Sequence, residues 1–228
     1  MKKQFYIFAI AVTVMITGFR PAGNDDTKLY PELEKFFASS KKKFNSIPTE
    51  RTNELAKISQ LIAKKKVKGK SASLILVSKN NSGSDLLAQA FLQAAIAYYK
   101  ISNVKLFSAG QSASELDNRI IEQLTKAGFK VNSSGTKTDL KFSDQESITL
   151  FSKKLDDASL PQSEFYSIVT CSDGKSGCQA SQNSEYVAEV KLPEVSEMKE
   201  NAEFEKAFSQ IAVEMVYVAY ELKEMHVK

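Results

Sequence analysis

One stretch constrains this chain more than any other. The apolar run Leu74-Ile75-Leu76-Val77 leads into the polar turn Ser78-Lys79-Asn80-Asn81-Ser82-Gly83-Ser84, after which Leu86, Leu87, Ala90, Phe91 and Ala94 recur at helical spacing. A short continuous apolar run bounded by turn residues reads as a strand buried on both faces. Apolar residues three and four apart read as the inner stripe of a helix. A buried strand joined by a short turn to a helix opens a βα unit, and such units build parallel sheets. The turn also has a chemical meaning. Free backbone N–H groups and the helix dipole converge where the helix begins, which suits a phosphate-like anion.

The alternation continues downstream. The pattern predicts a helix over 85–99, a strand over 104–107, a helix over 115–127 ended by Gly128, and strands over 167–171 and 186–190. Phe204, Phe208, Ile211, Met215, Val218 and Leu222 then mark the core side of a final helix. The expected fold class is α/β: a four-stranded parallel sheet with helices on both faces. Ligands in such sheets sit at the carboxyl ends of the strands. That edge gathers the 78–84 turn, the segment after Phe107 and the segment after Cys171. Residues 132–164 are less regular and are expected to contain a long connection. Upstream, Pro31 suits a first helical turn, with Leu33, Phe36, Phe37 and Phe44 on the buried side. Ile47-Pro48-Thr49-Glu50 opens a second helix, whose Leu55, Ile58, Leu61 and Ile62 share a face. The expected organisation is a helical hairpin over 30–70 packed on an α/β domain over 71–228.

Composition narrows the function classes. Hydrophobic residues are 43% and charged residues 25%, enough to build a folded core. The net charge of +4 is too small to argue for nucleic acid. The basic run Lys64-Lys65-Lys66-Val67-Lys68-Gly69-Lys70 reads as a solvated helix end, where lysines favour the dipole, with an anionic surface or partner as the alternative. The single histidine, His226, stands apart from any His/Cys cluster, so no zinc set is present. No cofactor motif was found. Lys2 and Lys3 precede an uncharged apolar stretch over 5–19, about the length of a signal-peptide core and short for a membrane span. Residues 1–22 are therefore read as a signal peptide or N-terminal anchor, and 23–29 as a linker. The chain is expected to be exported: periplasmic, or anchored facing the periplasm, with membrane contact only through an uncleaved leader.

Several segments, taken in order, resemble the low-molecular-weight protein tyrosine phosphatase superfamily. The likeness is strongest to thioredoxin-coupled arsenate reductases and longer bacterial relatives with an N-terminal helical extension. Leu29-Tyr30-Pro31-Glu32-Leu33 with Ile47-Pro48-Thr49-Glu50-Arg51 resembles that extension. Phe107-Ser108-Ala109-Gly110, and Arg119 up to Ala127-Gly128-Phe129, resemble the second strand and helix. Val169-Thr170-Cys171-Ser172-Asp173 up to Cys178 resembles the redox segment. The resemblance implies a phosphate loop of Cys, five residues, Arg, then Ser or Thr. The Cys thiolate attacks phosphorus or binds arsenate, and the Arg clamps the oxyanion bidentately. On this chain the Cys position holds Ser78, the Arg position Ser84 and the final hydroxyl position Asp85. Asn81 and Ser82 keep family identities. The general-acid position falls on Ser196, within Leu192-Pro193-Glu194-Val195-Ser196-Glu197, where Glu194 and Glu197 are the nearby carboxylates. Cys171 and Cys178 have the spacing of the family's redox pair.

These substitutions carry physical consequences. A serine without a histidine base is a poor nucleophile. Losing one preorganised electrostatic group costs about 2.7–4 kcal/mol of barrier. Asp85 at a helix N-terminus favours the helix and opposes an incoming phosphate. The expectation is a catalytically degenerate member acting as a binding or structural module. Ser78, Asn80, Asn81, Ser82, Gly83 and Ser84 would line a site for a neutral polar ligand or a weakly held oxyanion, with Lys79 either supplying charge to it or, by the alternation around the loop, directed outward. Two rivals remain at this level. One is an active phosphatase or arsenate reductase with altered chemistry, and the other a thiol–disulfide partner protein using Cys171 and Cys178. The same cysteines also fit a structural disulfide or two free thiols.

Overall fold

The computed structural model describes residues 28–67, 69–171 and 178–225. The expected leader, most of the linker and His226 lie outside them. Strand β1 (Ala72–Ser78) is central in a four-stranded sheet of order β2-β1-β6-β7, with β2 at Val104–Gly110, β6 at Phe165–Val169 and β7 at Tyr186–Glu189. All three pairings are parallel, and the register sets Leu76 beside Ser108 and Ile168, and Ser78 beside Gly110. The continuous apolar run of β1 is explained by this position, which buries both of its faces. Strand β6 begins ahead of the expected span, and Thr170 and Cys171 lie past its end, at the carboxyl edge of the sheet.

Helices flank this sheet, with most of their weight on one side. Leu74, Leu76, Leu106, Tyr166 and Ile168 share the main core with helices α2 (Thr49–Val67), α3 (Ser84–Tyr98) and α5 (Asn201–Glu224). On the alternate side Ile75, Val77, Ala109 and Phe165 form a smaller core with Leu160, against which Phe107 and Leu155 pack. Among the described residues that second core contains no helical side chain. An irregular segment over 151–160 supplies its cover. Helix α3 is buried almost all round, and this explains its nearly uninterrupted apolar sequence.

The N-terminal hairpin, α1 (Pro31–Lys41) and α2, is integral to the core. The Phe91 ring of α3 meets the rings of Phe36, Phe129 and Phe208 at 5.5, 5.5 and 5.4 Å. Gly128 ends helix α4 (Asn118–Ala127) in the left-handed region at φ +106, and a Cβ there would lie 2.4 Å from the Leu33 nitrogen. Only glycine allows both that turn and that approach. Arg51 of α2 donates to both carboxylate oxygens of Glu214 in α5, at 2.9 and 2.5 Å.

Three local features differ from the sequence reading. Where the sequence reads as irregular from 132 on, the chain forms an antiparallel meander that begins at Lys130: β3 (Lys130–Ser134), β4 (Lys137–Lys141) and β5 (Ser147–Leu150). Its strands are short and largely exposed, so the inward alternation reduces to a few residues such as Thr138 and Leu140. Helix α4 begins at Asn118 rather than 115, because the Asp117 carboxylate caps it by accepting from the Arg119 N–H at 2.9 Å. The basic run is tied into the fold. Lys65 is buried, donating to the Glu164 carbonyl at 3.0 Å and pairing with Glu185 at 2.8 Å, while Lys66 donates to the Ser102 carbonyl at 2.5 Å. Among the described residues no helix is long and apolar enough to cross a membrane.

Candidate functional site

The 78–84 turn joins the end of β1 to the start of α3, and its polar groups are spent on one another. The Ser78 hydroxyl donates to Asp85 Oδ2 at 2.8 Å and accepts the Asn81 backbone N–H at 2.8 Å. The Asn81 side-chain amide donates to the same Asp85 oxygen. Asn81 Oδ1 accepts the backbone N–H of Lys153 at 2.8 Å. Asn81 holds this position at φ +46, a left-handed conformation that asparagine tolerates better than most residues. Ser84 donates to the Pro193 carbonyl and accepts the Val195 N–H at 3.1 Å. A Cβ on Gly83 would lie 2.9 Å from Val195 Cγ2 and 3.2 Å from the Ser196 nitrogen. The 192–197 segment thus packs directly on the turn, bringing Ser196 beside Gly83.

Neighbouring segments close the turn from its other side. The Gln111 and Ser112 N–H groups donate to the Ser78 and Lys79 carbonyls at 3.2 and 3.0 Å. The Ser152 hydroxyl donates to the Asn80 carbonyl at 3.1 Å. Gly110 bonds the strap that follows β5 in both directions, its N–H to the Lys153 carbonyl and its carbonyl to the Leu155 N–H. A Cβ on Gly110 would lie 2.5 Å from the Ser112 oxygen and 2.7 Å from the Asn81 nitrogen. Ser78, Asn81, Ser82 and Ser84 are each at most 5% exposed. Lys79 is exposed and Asn80 half-buried.

Two buried charges govern the electrostatics. Asp85 is 1% exposed, and its Oδ1 has no hydrogen-bond partner. Burial pushes its carboxyl above the usual carboxylate range, against the opposing pull of the Asn81 and Ser78 hydrogen bonds. Lys153 is 5% exposed, donates from Nζ to the Ser108 carbonyl at 3.2 Å, and stands 4.0 Å from the centre of the Phe151 ring. Burial pushes its ammonium below the ordinary lysine range, with the charges of Asp157 and Asp85 acting the other way. Lys153 was not among the residues singled out in the sequence. It lies in the irregular stretch, and only its burial and its hold on Asn81 mark it.

Cys171 and Cys178 are disulfide-bonded, and both are buried. They lie at the same sheet edge as the turn, next to Thr170, whose N–H and hydroxyl both donate to the Val77 carbonyl. Ser172 and Asp173 lie outside the described residues. Among the described residues no group of three or more His, Cys, Asp and Glu is placed to hold a metal ion.

No protein-family model matches the sequence, and no curated protein matches it. Similar solved structures include a thioredoxin-dependent arsenate reductase from Corynebacterium glutamicum, 20% identical over 85% of each chain with a TM-score of 0.42. YfkJ from Bacillus subtilis is 13% identical over 69% of this chain and 98% of its own, with a TM-score of 0.48. A low-molecular-weight phosphotyrosine phosphatase from Vibrio cholerae is 13% identical over 66% of this chain and 95% of its own, with a TM-score of 0.44. Likeness at this level says nothing of chemistry, which rests on the residues of the turn.

Proposed function

We propose that the chain is a non-catalytic relative of the low-molecular-weight phosphatases and arsenate reductases, exported and used as a binding or structural module. The observation that carries this reading is the Asp85 carboxylate inside the turn, taking the Ser78 hydroxyl and the Asn81 amide. In this arrangement an internal carboxylate engages donors that an oxyanion would otherwise use. The electrostatics point the same way. A second anion beside a buried carboxylate is opposed by like charge, and Ser84 supplies no cation. Ser78 is also poorly placed to attack a substrate, since its oxygen accepts the Asn81 N–H and its side chain is buried.

Titration calorimetry with inorganic phosphate and with arsenate tests this reading. It predicts no saturable heat from either. Saturable binding that disappears in Ser78→Ala would overturn it.

Export rests on the leader pattern in residues 1–22 and agrees with a buried disulfide, which persists in oxidising compartments. Burial of both sulfurs favours a structural bond over exchange with a partner. Cell fractionation with N-terminal sequencing tests the export reading, which predicts the chain outside the cytoplasm. Recovery of the chain from the cytoplasm with reduced cysteines would contradict it.

A further inference from the structure

We draw no further inference here: the strongest candidate, the surface patch of Tyr186 and Val187 on strand β7 at the edge of the four-stranded sheet, carries nothing because nothing in the structure shows what covers it.

Discussion

Asp85 concentrates the residue-scale argument, because the carboxylate that closes the turn is also costly to bury. Its folded pKa is raised by desolvation. A carboxyl shifted this way holds its proton more tightly in the folded chain. Its penalty is absent at a pH below its unfolded value of about 3.9, and grows as the pH climbs through the window between the unfolded and folded values. Lys153 and Asp157 supply opposing fields, the first favouring an ionised Asp85 and the second favouring a charged Lys153. Asp85→Asn keeps the shape and the acceptor for Ser78 and Asn81 while removing the ionisation. Urea unfolding is expected to show the stability of the variant relative to the parent rising between pH 4 and pH 7, as the parent's carboxyl gives up the proton that its burial favours. A relative stability that falls over the same range would mean that ionisation of Asp85 stabilises the folded chain. The place of Ser78, Ser84 and Asp85 at a strand-to-helix turn was legible in the sequence, since the turn stands between an apolar run and an apolar helical stripe, whereas their reading as substitutions came only from the family resemblance. The hydrogen bonds of Ser78 and Asn81 to Asp85, and of Ser84 to Pro193 and Val195, were not legible, because they depend on the left-handed backbone of Asn81 and on a segment far along the chain. Lys153 was not legible at all, lying in a segment with no period to read.

Close backbone approaches hold the elements around the turn. Gly110 has no room for a side chain between Ser112 and Asn81. Gly110→Ala is expected to cost about 1–3 kcal/mol, the usual range for forced overpacking, and to raise hydrogen exchange in the 151–155 strap. An unchanged thermal midpoint would show that the strap yields easily. The Cys171–Cys178 bond closes a short loop beyond β6, and reducing it is expected to cost about 2–3 kcal/mol in the chain-entropy account. Denaturation with and without reductant measures this, and coincident curves would remove the disulfide from the stability of the fold. Element by element, α1, α2, α3, β1 and α5 were readable because their apolar spacing is dense. The meander was not, because β3 exposes nearly every side chain and β4 sets only Thr138 and Leu140 inward among lysines and an aspartate. The start of α4 moved because the Asp117 cap outranks the good helix propensity of Glu115 and Leu116.

Across the whole molecule, a parallel sheet delivers three loops to one edge, and that edge carries two different surfaces. One is the 78–84 turn, closed by Asp85 from within, by Pro193 and Val195 on one side and by Gln111, Ser112 and Ser152 on the other. The other is a groove between the segment after β2, the start of α4 and the β3–β4 hairpin. The N-terminal hairpin supports both at a distance, since Leu33, Phe37 and Leu55 share the main core with α3 and α5. The parallel sheet and the shared edge followed from alternating strand and helix patterns, and the strand order did not. The groove did not, because its walls come from segments far apart in sequence. We propose that the turn performs no phosphoryl chemistry. The most direct measurement is phosphatase turnover by the full chain with Ser78→Ala as the matched control. Equal rates are the predicted result, and turnover above the Ser78→Ala control would contradict the account.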